Sequence, residues 1–140
     1  MQSESQIRVR YAETDQMGVA YHANYLVWCE VGRTDFIRHL GVSYAEMEAA
    51  GVRLAVADAH LRYRAAARYD DEITIATRLT DARSRMVSFA YRLTRRRPDG
   101  GFDPVADATT DLVSIDADNR PIAIPATFRG RLEAAVSTFP

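Results

Sequence analysis

Residues 14 to 25 read TDQMGVAYHANY and bring several chemically active side chains into one short segment. The carboxylate of Asp15 can act on a carbonyl carbon as a nucleophile or as a general base. The imidazole of His22 can orient a water or polarise that carbonyl, and Tyr11 can hydrogen-bond Asp15 or the substrate. These residue types are able to carry out acyl-transfer chemistry. An Asp ahead of a helix is also common as a cap or turn residue, and spacing alone does not decide between the two roles.

A helical pattern begins directly after this segment. From about Ala23 apolar residues recur at helical spacing, and Gly41 is a typical C-terminal stop. The unpaired N–H groups of the first turn, over residues 21–24, project from the helix start with the positive end of its dipole. Such a helix start can hold an anion, including the oxyanion that forms when an acyl carbonyl is attacked.

The rest of the chain predicts strands and two shorter helices. Five segments show strand patterns: residues 6–13, 53–68, 72–80, 85–95 and 105–115. The joints at 70–71, 82–84, 98–101 and 116–119 are typical of hairpin turns. Ser43 and Glu46 form a capping box for a short helix, and Pro125 can open a terminal helix that runs through Val136.

Strands joined by hairpins, with the helices segregated from them, predict an α+β fold. Apolar residues occupy much of the long helix's circumference, so we expect a curved five-stranded antiparallel sheet wrapped around a long central helix. The open edge of such a sheet would invite a second copy of the chain to pair.

The composition excludes several classes of protein. The 140 residues fit one domain, residues 1–140, and the net charge of −1 does not favour nucleic acid or a lipid surface. The single cysteine, Cys29, rules out an internal disulfide framework and a Cys-rich metal site. Neither a signal-peptide pattern nor a membrane-spanning run is present, so we expect a cytoplasmic protein without membrane insertion.

The segment YAETDQMGVAYHANYLVW resembles the signature of hotdog-fold acyl-CoA thioesterases of the 4-hydroxybenzoyl-CoA thioesterase family. Within that family it is most similar to the bacterial branch with a Tyr–Asp–His set, which is associated with the Tol-Pal cluster. The stretches LRYRAAARYDDEI and RMVSFAYRL follow in the family's order, so the resemblance covers nearly the whole chain. It implies the fold inferred above, homodimers or homotetramers with sites at the protomer interface, and hydrolysis of an acyl-CoA thioester to a carboxylic acid and coenzyme A.

Carried over by position, the resemblance places the catalytic carboxylate on Asp15 and the branch's Tyr and His on Tyr11 and His22. It implies that Asp15 attacks the thioester carbonyl or activates a water, while backbone N–H groups near Tyr21 and His22 hold the oxyanion. Ala20 stands where relatives commonly have Val, so the acyl group itself is not carried over. No metal or cofactor is expected, because coenzyme A is part of the substrate and the chain has no H-E-x-x-H, G-x-S-x-G or Gly-rich phosphate loop.

The phosphates of coenzyme A require cations near the mouth of the site. Arg62 and Arg64 alternate with apolar residues on one face of a predicted strand, and Arg83, Ser84 and Arg85 form a predicted turn. Each group suits a phosphate, and each is equally well explained as a solvated surface.

Other residues near the motif have more modest expected roles. Tyr21, Asn24 and Tyr25 are predicted substrate contacts, with Asn24 also a candidate helix cap. Glu13 is expected to support Asp15 or to form a salt bridge, and Cys29 to be a buried apolar residue rather than a nucleophile.

Two other functions remain open from the sequence. One is a hotdog hydratase or dehydratase, although its usual motif does not resemble residues 11–25. The other is a non-catalytic protein that binds acyl-CoA or acyl carrier protein.

Overall fold

The computed structural model describes every residue from Met1 to Pro140. Its five strands form one antiparallel sheet in the order β1-β3-β4-β5-β2. The strands are β1 (Ser3–Arg8), β2 (Arg53–Tyr63), β3 (Glu72–Ala82), β4 (Met86–Arg96) and β5 (Phe102–Ile115). The helices are α1 (Asn24–His39), α2 (Tyr44–Ala49) and α3 (Ala126–Ala134), and a single 3-10 turn covers Tyr11–Glu13. The predicted α+β architecture is confirmed.

Helix α1 packs against one face of the sheet and fills the core. Trp28, Phe36 and Ile37 are almost completely buried on its inner side. Gly32 permits the close approach of helix and sheet, since a Cβ atom there would lie 2.5 Å from the Thr77 hydroxyl oxygen on β3. Register shifts in β2, β3 and β5 mark bulges, which increase the local bend of a sheet.

Local signals placed the helix ends well. Gly41 follows α1 with a φ of 79° and donates its N–H to the Arg38 carbonyl at 2.9 Å. The capping box of α2 is formed as predicted, because Ser43 accepts from the Glu46 N–H and the Glu46 carboxylate accepts from the Ser43 N–H, both at 3.2 Å. Helix α3 begins one residue after the predicted Pro125.

Two strand predictions were wrong in their extent or pairing. The strand expected over residues 6–13 is β1 at residues 3–8, and the chain turns over residues 11–13 instead of continuing. The joint at 70–71 is not a hairpin, because β2 and β3 do not pair; β2 lies at the sheet edge beside β5. Turn residues such as Asp70, whose φ is 68°, report a local reversal but not which strands meet.

The sheet ends in two unpaired edges, β1 and β2. β2 is 11 residues long, and most of its side chains are exposed, including Val56 at 51%. A long exposed edge strand with an apolar side chain is a template for pairing with another chain. No helix of the structure is long and apolar enough to cross a lipid bilayer.

Candidate active site

Asp15 lies in a tight loop between the 3-10 turn and α1. Its N–H donates to the Val19 carbonyl at 2.9 Å, and Gly18, at a φ of 77°, donates back to the Asp15 carbonyl at 3.0 Å. The carboxylate accepts the Met17 N–H on Oδ1 at 2.8 Å. Asp15 therefore does cap a turn, but only one carboxylate oxygen is used. Oδ2 has no hydrogen-bond partner within the chain.

Two clefts meet at this carboxylate. The narrow cleft, about 340 Å³, is mostly apolar and is lined by Asp15, Met17, Val19, Ala20, His22, Tyr25, Tyr63, Arg64, Ala65 and Ala66. The wide cleft, about 700 Å³, is lined by Tyr11, Ala12, Thr14, Asp15, Gln16, Gly18 and Tyr69. Asp15 is the residue shared by both linings, so it lies at the boundary between the two clefts.

The predicted Tyr–Asp–His set is brought together around this point, with Tyr11 and His22 on different sides of Asp15. Tyr11 is 77% exposed in the wide cleft, where its ring meets that of Tyr69 edge to face at a centroid distance of 5.5 Å. His22 lines the narrow cleft, and its ring lies 4.4 Å from the ring of Tyr21. Neither side chain hydrogen-bonds Asp15 in this structure.

The start of α1 presents free N–H groups, one residue later than the sequence suggested. The Tyr21 N–H donates to the Glu13 carbonyl at 2.8 Å, and the Asn24 N–H donates to the Tyr21 carbonyl at 2.9 Å. The N–H groups of His22 and Ala23, between them, have no acceptor in the chain. The free donor pair, expected near Tyr21 and His22, therefore consists of the His22 and Ala23 N–H groups, because the Tyr21 N–H is already bonded to the Glu13 carbonyl.

Glu13 anchors the loop to the helix. Its buried carboxylate accepts the Trp28 indole N–H at 2.9 Å and the Arg10 backbone N–H at 2.8 Å. Burial acts to raise the pKa of Glu13, but the hydrogen bonds from Arg10 and Trp28 outweigh it and hold the pKa below its usual value. The salt bridge predicted for Glu13 is present with the Arg10 guanidinium at 3.3 Å, whereas Glu13 does not contact Asp15.

Asn24 is drawn into the same anchor. Its side-chain amide donates to the Glu13 carbonyl at 2.8 Å, and Asn24 lines neither cleft. The residue at the N-cap position of α1 is Ala23, without a side-chain cap. The Asn24 side chain thus has a structural contact, and Tyr21 also lies outside both cleft linings, so substrate contacts of Asn24 and Tyr21 stay predictions.

Tyr25 and Tyr63 build one wall of the narrow cleft. Their rings meet edge to face at 5.1 Å, and the Tyr25 hydroxyl accepts the Ala67 N–H at 3.1 Å. The Tyr63 hydroxyl donates to the His22 carbonyl at 2.9 Å. Partial burial, reinforced by Tyr25, raises the pKa of Tyr63, so its hydroxyl stays protonated and remains a donor. Tyr25 thus lines the cleft as predicted.

The arginines predicted to face phosphate separate into two groups. Arg64 lines the narrow cleft and donates its Nε to Asp107 at 2.7 Å, while Arg62 lies beside Asp107 in an adjoining surface cleft and makes no ion pair. Of the two arginines predicted on this strand, Arg62 is therefore the one without an ion pair.

Arg83, Ser84 and Arg85 do not lie near the clefts of their own protomer. They form the β3–β4 turn, whereas Arg95, at the other end of β4, donates to the Ala66 carbonyl at 3.0 Å beside the narrow cleft. At ~3.3 Å per residue, the length of β4 separates the turn from Arg95 by roughly 30 Å. The sequence could not show which end of a strand faces the motif, and the contact of Arg83, Ser84 and Arg85 with coenzyme A phosphates stays a prediction.

Sequence reasoning missed the contact between Tyr63 and His22. Tyr63 was visible only as an apolar residue between two arginines, and 41 residues separate it from its partner. A periodic pattern cannot report a pairing over that distance. The anchor at Glu13 is more local and could have been suspected from an acid and a Trp flanking the motif.

Comparison with known proteins identifies the family of this chain. The model of the thioesterase-like superfamily matches residues 9–132. YneP of Bacillus subtilis, described provisionally as an acyl-CoA thioesterase, is 36% identical over 131 residues, covering 90% of this chain and 89% of that protein.

Solved structures agree with this assignment. The hypothetical protein TT1821 of Thermus thermophilus is 35% identical, with a TM-score of 0.88 over 99% of this chain and 100% of its own. The DHNA-CoA thioesterase of Staphylococcus aureus is 34% identical, with a TM-score of 0.81 over 87% of this chain and 80% of its own. With a family match over most of its length, the chain is a hotdog-fold enzyme of the thioesterase-like superfamily.

Proposed function

We propose that this enzyme hydrolyses a small acyl- or aroyl-CoA thioester to the free acid and coenzyme A, with Asp15 as nucleophile or general base. One observation carries the proposal. Asp15, which has one carboxylate oxygen without a partner, lines both clefts, and His22, at a helix start whose His22 and Ala23 N–H groups are unbonded, lines one of them.

The chemistry needs little more than these groups. A thioester is an activated acyl group with a good leaving thiolate, so a carboxylate and a prepared oxyanion site are sufficient. With the carbonyl oxygen at the His22 and Ala23 N–H groups, Asp15 attacks the carbon or deprotonates a water beside it. The His22 imidazole, in the narrow cleft, orients that water or the carbonyl, and Tyr11 acts from the wide cleft.

The clefts suggest how the substrate divides between them. Tyr25, Tyr63 and the small side chain of Ala20 suit an apolar or aromatic acyl group in the narrow cleft. Arg64 at that cleft and the unpaired Arg62 nearby suit the phosphates of coenzyme A. The relatives with acyl-CoA and DHNA-CoA in their names are consistent with this class of substrate.

The proposal includes self-association, as a homodimer or homotetramer with sites at the interface. The exposed β2 edge ends at Tyr63, which lines the narrow cleft, so pairing of two β2 edges would place a second copy beside the site. The Arg83–Arg85 turn could then reach a substrate only in the partner's site. A cytoplasmic location and membership of the Tol-Pal-associated branch, based on Tyr11, Asp15 and His22, belong to the same proposal.

A panel of aromatic, short-chain and long-chain acyl-CoAs, assayed by release of the free thiol, tests the proposal. We expect turnover on at least one class. Hydration of crotonyl-CoA without thiol release would instead identify a hydratase, and saturable binding of every acyl-CoA without turnover would identify a binding protein. Single-turnover hydrolysis in heavy-oxygen water separates the two roles of Asp15, since label enters the Asp15 carboxylate only if Asp15 is the nucleophile.

A further inference from the structure

The two unbonded N–H groups belong to consecutive peptide units whose carbonyls are both held. In a trans peptide the N–H and C=O bonds point in opposite directions in one plane, so fixing the carbonyl fixes the N–H. The His22 N–H shares its peptide with the Tyr21 carbonyl, which accepts the Asn24 N–H at 2.9 Å. The Ala23 N–H shares its peptide with the His22 carbonyl, which accepts the Tyr63 hydroxyl at 2.9 Å.

These two restraints have different origins. The first is a backbone bond of the helix start and does not depend on side-chain identity. The second comes from one side chain on a distant strand. The Leu26 N–H bonds the Ala23 carbonyl at 3.2 Å instead of the His22 carbonyl, which is therefore free to accept the Tyr63 hydroxyl. The direction of the Ala23 N–H therefore depends on the Tyr63 hydroxyl.

We propose that Tyr63 is a positioning residue of the hydrolysis, whose hydroxyl orients and polarises the His22–Ala23 peptide so that its N–H is ready for the oxyanion. The inference rests on the proposed function. A hydrogen bond to a carbonyl strengthens the donor at the other end of the same peptide, as in a chain of hydrogen bonds. A preoriented donor also costs no reorganisation when charge develops on the substrate oxygen.

The position of the ring makes this role separable from substrate binding. The Tyr63 ring lines the narrow cleft and meets Tyr25 at 5.1 Å, while only the hydroxyl reaches His22. Tyr63→Phe removes the hydroxyl and keeps the ring. Since Tyr63 is 47% exposed, the substitution leaves no deeply buried group unpaired.

The test compares Tyr63→Phe with Tyr91→Phe in the 140-residue chain. Tyr91 is buried in the core, away from both clefts, and its hydroxyl is hydrogen-bonded to that of Thr110 at 2.8 Å. Removal of a whole oxyanion donor lowers kcat by about 10²–10³-fold. Tyr63→Phe keeps the Ala23 N–H and removes only the hydroxyl that orients it, so we expect a smaller fall in kcat, about tenfold, with KM within about twofold and an unchanged melting temperature. We expect Tyr91→Phe to lower the melting temperature and leave kcat unchanged. Wild-type kcat in Tyr63→Phe would overturn the inference, and so would equal losses of kcat in the two variants.

A second measurement does not depend on turnover. The carbonyl ¹³C resonance of His22 and the amide proton resonance of Ala23 should both move in Tyr63→Phe and stay in place in Tyr91→Phe. If both stay in place in Tyr63→Phe, the inference fails even where the enzyme is active. If the wild type hydrolyses no acyl-CoA, the proposed function fails and these resonances still decide whether Tyr63 holds the peptide.

Discussion

Substitution of Glu13 by Gln should destabilise the protein, because the carboxylate accepts from two donors and the amide that replaces it can accept from only one of them. The Glu13 residue is 5% exposed and its two oxygens accept from Arg10 and Trp28. Glu13→Gln keeps one acceptor oxygen and turns an NH₂ group toward the other donor. An unpaired buried donor costs about 1–3 kcal/mol, whereas the Arg10 guanidinium, 75% exposed on its side chain, contributes little. We expect a loss of about 2 kcal/mol in the free energy of unfolding.

Urea unfolding at fixed protomer concentration and neutral pH measures this loss. Glu133→Gln is the matched control, because Glu133 pairs with Arg129 at 2.6 Å on the surface of α3 and its removal should cost no more than about 0.5 kcal/mol. In a Trp28→Phe background the cost of Glu13→Gln should shrink, since no indole N–H is left unpaired. Equal costs for Glu13→Gln and Glu133→Gln would refute the reasoning.

The same variant carries a pH signature. Because the pKa of Glu13 is lowered from its ordinary 4.5, the ionised carboxylate stabilises the fold above about that pH. The advantage of wild type over Glu13→Gln should be complete at neutral pH and disappear as the pH falls through the folded-state pKa. An advantage that grows on acidification would contradict the assigned hydrogen bonds.

Three further predictions concern the core, the thiol and the phosphates. Gly32→Ala should lower the free energy of unfolding, measured in urea, by about 1–3 kcal/mol, because the added Cβ would meet the Thr77 hydroxyl. Gly130→Ala on α3, where the added Cβ has open space, should not lower it, and equal effects of the two substitutions would contradict the close packing at Gly32. Cys29 is fully buried and its pKa is raised to about 12, so it should resist a thiol reagent at pH 8 until urea is added, and rapid native labelling would contradict this. Arg62→Gln should raise KM a few-fold for an acyl-CoA but not for the matching acyl-pantetheine, which lacks the phosphates; parallel changes would remove Arg62 from phosphate binding.

The elements that sequence reasoning located well are those set by neighbouring residues. The capping box at Ser43 and Glu46 and the stop at Gly41 depend on contacts within a few residues, so their residue types alone identify them. The pairing of β2 with β5 depends on residues far apart in the chain, and turn residues at 70–71 wrongly suggested a hairpin with β3.

The candidate site divides in the same way. Asp15, His22 and Tyr11 are local to one segment, and the structure brings them to two adjoining clefts. The anchor between the loop and the helix depends on Glu13, 15 residues from Trp28, and the orientation of the His22–Ala23 peptide depends on Tyr63, 41 residues from His22. Such contacts exist only once the sheet and helix have packed, which is why spacing placed the free N–H groups one residue too early.

The central claim is that the Asp15 carboxylate performs the hydrolysis, and Asp15→Asn tests it most directly. The amide oxygen that it introduces can still accept the Met17 N–H, so the loop should keep its shape. We predict a fall in kcat of about 10²–10⁴-fold, the usual contribution of a general base, with unchanged affinity for a non-hydrolysable acyl-CoA analogue. A variant that hydrolyses acyl-CoA at the wild-type rate would contradict the account.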